Sequence, residues 1–307
     1  MRYCGIGGQA VLEGIMMRNK NRYAVAVRKP DGTIETTTEE LHPFSEKHPW
    51  AAWPFIRGSV SLVESLKTGM KTLMWSASFE EDENGNRIEI NKSEEVWTVV
   101  IAVVLALGIF VVLPTVLVNF LKTKISSGAL LALIEGLLRL LMFIGYIALV
   151  SRMKDIQRTF MYHGSEHKCI NCIESGKELT VDNVMASSKE HRRCGTSFIL
   201  LVVLISIVVF MIIRVDTLWL RLIVRILMIP VIAGISYEIL RFTGSSNSTF
   251  AYVVSRPGMW MQALTTKEPT PDMVEVAIAA VEEVFDWKAF LKEAERSDSQ
   301  GTCPEKS

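Results

Sequence analysis

Apolar residues run almost without interruption along four stretches of the chain, about 96 to 119, 129 to 150, 198 to 213 and 218 to 241. At a rise of about 1.5 Å per residue, each can cross a hydrocarbon layer as a helix, so the pattern predicts four transmembrane helices. The third is the shortest and carries no charge. Elsewhere the period shortens. Tyr23 to Val27 alternates residues of β type, Pro30-Asp31-Gly32 supplies a turn and Thr33 to Thr38 is β-rich again, which predicts a hairpin. Beyond a connector rich in proline and tryptophan (Pro43, Pro49, Trp50, Trp53, Pro54), Val60, Val63, Leu66, Met70, Leu73 and Met74 recur at helical spacing. They predict an amphipathic helix over 57–76, packed on protein or lying in the membrane interface. Residues 80–95 are acidic and polar, as in a hydrated linker. Near the other end, Thr270 and Pro271 open a docking helix whose Val274, Ile278, Val281 and Phe285 share one stripe. From about Arg296 the chain is polar, which predicts a disordered tail containing Cys303.

Composition agrees with the spans. Hydrophobic residues make up 49% and mean hydropathy is +0.27, more than a soluble domain of this size needs for its core. Met1 to Arg18 is glycine-rich and mixed, unlike a cleavable signal. Four spans place residues 1–95, 151–197 and 242–295 on one side of the membrane. The 151–197 loop carries eight basic residues (Arg152, Lys154, Arg158, Lys168, Lys177, Lys189, Arg192, Arg193), against Lys122, Lys124 and Arg214 in the two short turns. The positive-inside rule makes the long segments cytoplasmic. The expected fold is therefore an α-helical inner-membrane protein with four transmembrane helices (96–150 and 198–241), both termini cytoplasmic, and a discontinuous cytoplasmic α+β domain ahead of a 296–307 tail. Cys4, Cys169, Cys172, Cys194 and Cys303 then sit in a reducing compartment, which disfavours disulfides and permits thiolate ligation. A formal net charge of zero and a pI near 7.0 give no basic field for DNA.

The chemistry concentrates in the central loop. His163-Gly-Ser-Glu166-His167 places two histidines one helical turn apart with Glu166 beside them, the H-x-x-E-H arrangement of some metallohydrolases. His191-Arg-Arg-Cys194 adds two more ligand types. If the clusters meet, His163, His167 and one or both of His191 and Cys194 hold a metal, Zn2+ being the expected ion, with Glu166 as general base. A closed structural zinc site that also uses Cys169 and Cys172 is an equally economical solution. Hydrogen bonding of the histidines to loop carbonyls, with Cys194 packed as a small apolar residue, needs no metal at all. Within the spans, Glu135 and Arg139 are four apart, and Arg225 enters the fourth span at a similar depth, so the three are expected to pair or to mark a polar path.

Several runs resemble the bacterial DUF1385 family: Gly7 to Arg18 (GGQAVLEGIMMR), Arg57 to Val60, Tyr162 to Lys168 (YHGSEHK), His191 to Phe198 (HRRCGTSF) and Leu264 to Pro269. Together they span nearly the whole chain. The resemblance implies a membrane protein of unassigned activity, some members being described as metal-dependent enzymes. Arg193 departs from the family pattern, where proline precedes the cysteine. Two functions follow as expectations: a zinc-dependent hydrolase acting on a membrane-protein segment or lipid headgroup, or a scaffold for membrane-protein insertion. In the scaffold, Lys168, Lys189, Arg192 and Arg193 contact a ribosome, translocon or anionic lipid. A transporter resting on Glu135, Arg139 and Arg225 is a third.

Overall fold

A computed structural model describes residues 3–79, 92–213, 215, 217–246 and 248–299. The β-structure begins earlier than the hairpin expected from 23–38. Strands β1 (Ile6–Val11), β2 (Gly14–Asn19), β3 (Arg22–Arg28) and β4 (Ile34–Glu40) pair in sequence order as an antiparallel meander. Glu13 and Lys20 take up positive φ, 46° and 51°, in the two tight turns between β1 and β3. Alternation is weak in β1 because Gly7 and Gly8 interrupt it, and absent in β2 because Ile15, Met16 and Met17 run together. A continuous apolar run suits a strand covered on both faces. Ile15, Met17, Ala24 and Ala26 belong to one core, while Val11, Met16, Tyr23, Val25 and Val27 belong to another on the opposite face.

After a single turn, α1 (Phe44–Lys47), the expected amphipathic helix appears as α2 (Ile56–Ala77). Its carboxy-terminal half covers the second sheet face through Leu73 and Trp75, and the Ser76 hydroxyl accepts the Leu12 N–H at 3.1 Å. Of the expected linker, residues 80–91 lie outside the described residues, whereas 92–95 are already helical in α3 (Lys92–Leu107). A π-helical turn at Gly108–Val112 leads into α4 (Leu113–Asn119), giving one apolar helical stretch, Val96–Thr123.

Next come α5 (Gly128–Val150), α6 (Lys154–Glu174), α7 (Val181–Met185) and α8 (Gly195–Ile212), then α9 (Leu218–Leu227) and α10 (Ile229–Ser245). The fourth apolar run, expected as one transmembrane helix, bends by 42° between α9 and α10. Pro230 is the reason: it has no N–H for the preceding turn, and its ring crowds that turn's carbonyl. Three helices are thus long and apolar enough to cross a membrane, and four if the bent pair is one span.

Helix α11 (Thr249–Thr265), which the apolar pattern does not predict, carries Pro257 in its interior. α12 (Pro271–Val284) is the expected docking helix and starts at Pro271, although Thr270 makes no side-chain cap bond and Phe285 falls just past its end. α13 (Trp287–Ser299) continues through Arg296, where disorder was expected; residues 300–307, with Cys303, lie outside the described residues. In the bundle α8 packs on α5, α10 and α11, and α2 reaches across to α10, where Arg57 forms a two-bond pair with Glu238. Beside it, the sheet is sandwiched between α2 and the α6, α7, α12 layer. The two bodies meet where α6, the start of α8 and the end of α11 converge.

Candidate metal centre

From Tyr162 to Glu174 every residue of α6 except His163 is buried, yet much of that segment is polar. Such a helix is stable only if each polar side chain finds a partner. The connection between α6 and α8 supplies them with backbone carbonyls. Lys168 Nζ donates to Met185 and Ser187, both at 2.8 Å, and Asn171 Nδ2 to Ser188 and Glu190 at 2.7 and 2.9 Å. His167 Nδ1 lies 2.6 Å from the Lys189 carbonyl, and His163 Nδ1 lies 2.9 Å from that of Thr265, the last residue of α11. A carbonyl only accepts, so both imidazoles are assigned the Nδ1–H tautomer, with the lone pair on Nε2.

Cys194 caps the amino terminus of α8 and brings its Sγ to 3.2 Å from His163 Nε2. One ligand atom each from His163, His167 and Cys194 lies within 4.8 Å of the others, a group that could hold a metal ion. Close approach of α6 to the segment after α11 makes this possible. At Gly164 a Cβ would stand 2.0 Å from the Lys267 carbonyl oxygen, and the Lys267 N–H bonds the Phe160 carbonyl at 2.9 Å.

The other expected ligands are placed differently. His191 is not in the group: Gln262, fully buried, accepts its N–H and donates to its carbonyl, while its Nε2 faces Glu174 at 3.8 Å. Burial, the largest influence, lowers the His191 pKa to about 4. Glu166 lies against β1 and accepts the Gly8 N–H at 2.9 Å; burial pushes its pKa up against the pull of His163 and that N–H. Cys169 and Cys172 pack in the core outside the ligand group, and the Cys172 thiol donates to the Glu178 carbonyl at 3.4 Å.

Glu174 is a residue that motif reasoning passes over. Its carboxylate accepts the Cys4 N–H at 3.1 Å and the guanidinium of Arg193, which also stacks over Tyr3. Arg193 thus ties Tyr3 and Cys4, ahead of β1, to the loop before α8 through Glu174. Gln262, Lys189 and Thr265 are likewise silent in a ligand search. Lys189 and Thr265 act through their carbonyls, and the one sequence signal was the family-like run from Leu264 to Pro269.

Inside the bundle the three expected charges do meet. Glu135, 1% exposed, takes both Nη groups of Arg225 at 2.6 and 2.7 Å, Arg139 at 3.3 Å and the Thr115 hydroxyl at 2.7 Å. Arg139 Nε also donates to the Phe110 carbonyl in the π-helical turn, at 2.8 Å.

A bundle of membrane-length helices joined to a small α+β body, with a His-His-Cys group at the junction, defines the class of protein. The chain belongs to the DUF1385 family, described as "Protein of unknown function (DUF1385)", whose match covers residues 53–287. It is 34% identical over 302 residues to the "Uncharacterized protein YqhQ" of Bacillus subtilis (strain 168), covering 94% of this chain and 95% of that protein. No solved structure matches it.

Proposed function

We propose that the protein is a metalloprotein of the inner membrane, crossing the bilayer four times with both termini in the cytoplasm, in which His163, His167 and Cys194 hold one Zn2+ ion. The observation that carries this is the convergence of the three ligand atoms with both Nδ1 positions already engaged by backbone carbonyls. Metal-bound histidines are oriented in this way, because the second bond fixes the ring and raises its basicity. Zn–N and Zn–S bonds in a tetrahedral site space the ligand atoms by roughly 3.3 to 3.8 Å, so the 3.2 Å between Cys194 Sγ and His163 Nε2 needs little adjustment. A thiolate at Cys194 also faces the positive end of the α8 peptide dipoles. The basic residues of the 151–197 loop support the cytoplasmic placement. Bound there, the ion ties α6 to the start of a span, and the Thr265 carbonyl ties in the end of α11.

A hydrolytic use of the same ion is the second reading, and Glu166 favours it. Three protein ligands leave a fourth coordination position, and a buried carboxyl with a raised pKa adjoins His163 in the helix. A bound zinc ion would supply Lewis acidity. Glu166 would take up and return the proton of the attacking water, and the substrate would be an amide or ester at the membrane face. The ribosome or translocon contact has less behind it. Lys168 and Lys189 pair with Glu268, Arg193 is bound to Glu174, and Arg192 stacks on Tyr252.

Metal analysis of the detergent-purified chain tests the site. Stoichiometric zinc is expected in the wild type and its loss in His163→Ala and Cys194→Ala; wild-type protein free of metal after zinc-supplemented expression overturns the proposal. Glu166→Gln separates the two uses. If it keeps its zinc and fully complements a deletion strain, the hydrolytic reading is wrong and an ion that only ties α6 to the start of α8 remains.

A further inference from the structure

A cavity of about 320 Å3 opens at the far end of the bundle, where α5 begins and α8 ends. From Cys194 to Phe210, which lines it, the chain climbs roughly 24 Å along α8. The cavity is therefore separate from the candidate metal centre. Its wall includes Gly128, Ala132 and Glu135 of α5, Phe210 of α8, and Arg221 and Arg225 of α9.

Three features give this space a positive character. Glu135 is the sole carboxylate among the described residues that line it, and its single charge is shared by Arg139 and Arg225. The Glu135, Arg139 and Arg225 cluster thus keeps one net positive charge among membrane-length helices, where unbalanced charge is costly. Arg225 is 6% exposed, and although both its Nη groups are engaged by Glu135, its Nε has no hydrogen-bond partner among the described residues. Arg221, one turn earlier, donates its Nε to the Val215 carbonyl at 3.1 Å, and no acceptor among the described residues takes its Nη groups. Finally, the start of α5, a 23-residue helix, lines the cavity at Gly128; Ser127 Oγ accepts the Leu130 N–H at 3.4 Å, and the positive end of the helix's peptide dipoles there favours an anion.

Guanidinium groups and a helix amino terminus together suit a tetrahedral oxyanion. The apolar wall at Phe210 and Leu131 leaves room for more than the anion, and the volume lies at the low end for small-ligand sites, roughly 300–1,000 Å3. We infer that this cavity binds a phosphate group, held by Arg221 and Arg225 at the start of α5. A phospholipid headgroup and inorganic phosphate share that chemistry.

The full chain, purified in detergent, allows both sources to be probed. Inorganic phosphate is titrated against chloride at equal ionic strength while the thermal midpoint is followed. In parallel, retention of phosphatidylglycerol against phosphatidylcholine is measured by native mass spectrometry. Two variants report on the site. Arg221→Gln removes a charge that does not bind Glu135, and Ala132→Leu fills the space while leaving every charge in place. Wild-type protein is expected to bind at least one probe about tenfold more tightly than either variant does, the worth of one charge-assisted bond. A response to phosphatidylglycerol alone identifies a lipid headgroup, and a response to phosphate alone identifies the free anion. Undiminished binding in either variant, or no response of the wild type to phosphate and no preference for phosphatidylglycerol, overturns the inference. Zinc content, expected unchanged in both variants, keeps this outcome apart from that of the metal proposal.

Discussion

Replacing Glu174 by Gln is expected to lower the stability of the α+β body by about 3 kcal/mol at neutral pH. The side chain is 4% exposed and gathers the Cys4 N–H, the Cys4 thiol, Arg193 and, at 3.8 Å, His191. Burial by itself would push its pKa up, but His191 facing it at 3.8 Å, the Arg193 charge and the Cys4 N–H outweigh it and bring the carboxyl from 4.5 to about 2. Each pH unit of that gap is worth about 1.4 kcal/mol by linkage, which gives the magnitude. Because the folded pKa is the lower one, the contribution is fully present above pH 4.5 and is lost as pH falls towards 2. Gln keeps the shape and can still accept the Cys4 N–H, but it leaves Arg193 with no counter-charge. Hydrogen exchange of the α6 amides from Ser165 to Glu174 should accelerate about a hundredfold at pH 7. Urea midpoints of the wild type should fall on acidification below pH 4.5, whereas those of the variant lack this component. Exchange within about twofold of wild type at pH 7, or an unchanged acid profile, would refute the reasoning.

Gly164→Ala sets a Cβ 2.0 Å from the Lys267 oxygen, so α6 must move and the His163 to Thr265 bond with it. A loss of roughly 1–3 kcal/mol is expected together with loss of zinc, and an unchanged melting point with full metal content would contradict this. Glu135→Gln leaves two buried guanidinium groups without a carboxylate and should cost roughly 3–5 kcal/mol in detergent unfolding titrations. The double change Glu135→Leu with Arg225→Met removes one of the two stranded guanidinium groups, while Arg139 keeps the Phe110 carbonyl and Ser206, and should recover part of that loss; a double variant as unstable as the single would show that the Glu135–Arg225 pair is not the cause.

Much of the architecture is legible along the chain, and the misses have identifiable causes. Apolar length marks the helices able to cross a membrane, but the fourth run also contains Pro230, whose missing N–H sets the bend. Tyr23 to Val27 alternates clearly, whereas β1 and β2 are masked by Gly7, Gly8 and the unbroken Ile15-Met16-Met17, since their sheet is covered on both faces. α11 escapes a stripe search because its buried face holds Ser255, Gly258, Gln262 and Thr265. Small and polar residues there allow close approach to α8, with Gly258 directly against Ser197.

At the candidate centre, spacing alone settles that His163 and His167 share a helix face, because a side chain four residues on lies one turn above the first. It settles equally that Glu135 and Arg139 are neighbours on one apolar helix. Which further ligand joins the histidines is a tertiary matter. His191 and Cys194 are only three residues apart, yet Gln262 clamps the backbone of the first and turns its ring to Glu174, while the second caps α8 beside His163. The tautomers are decided by the carbonyls of Lys189 and Thr265, and every residue type carries a carbonyl, so no letter in the sequence announces them. Side-chain chemistry and local spacing are written in the order of residues; where separate backbones cross, and therefore which lone pairs converge, exists only once the chain has folded.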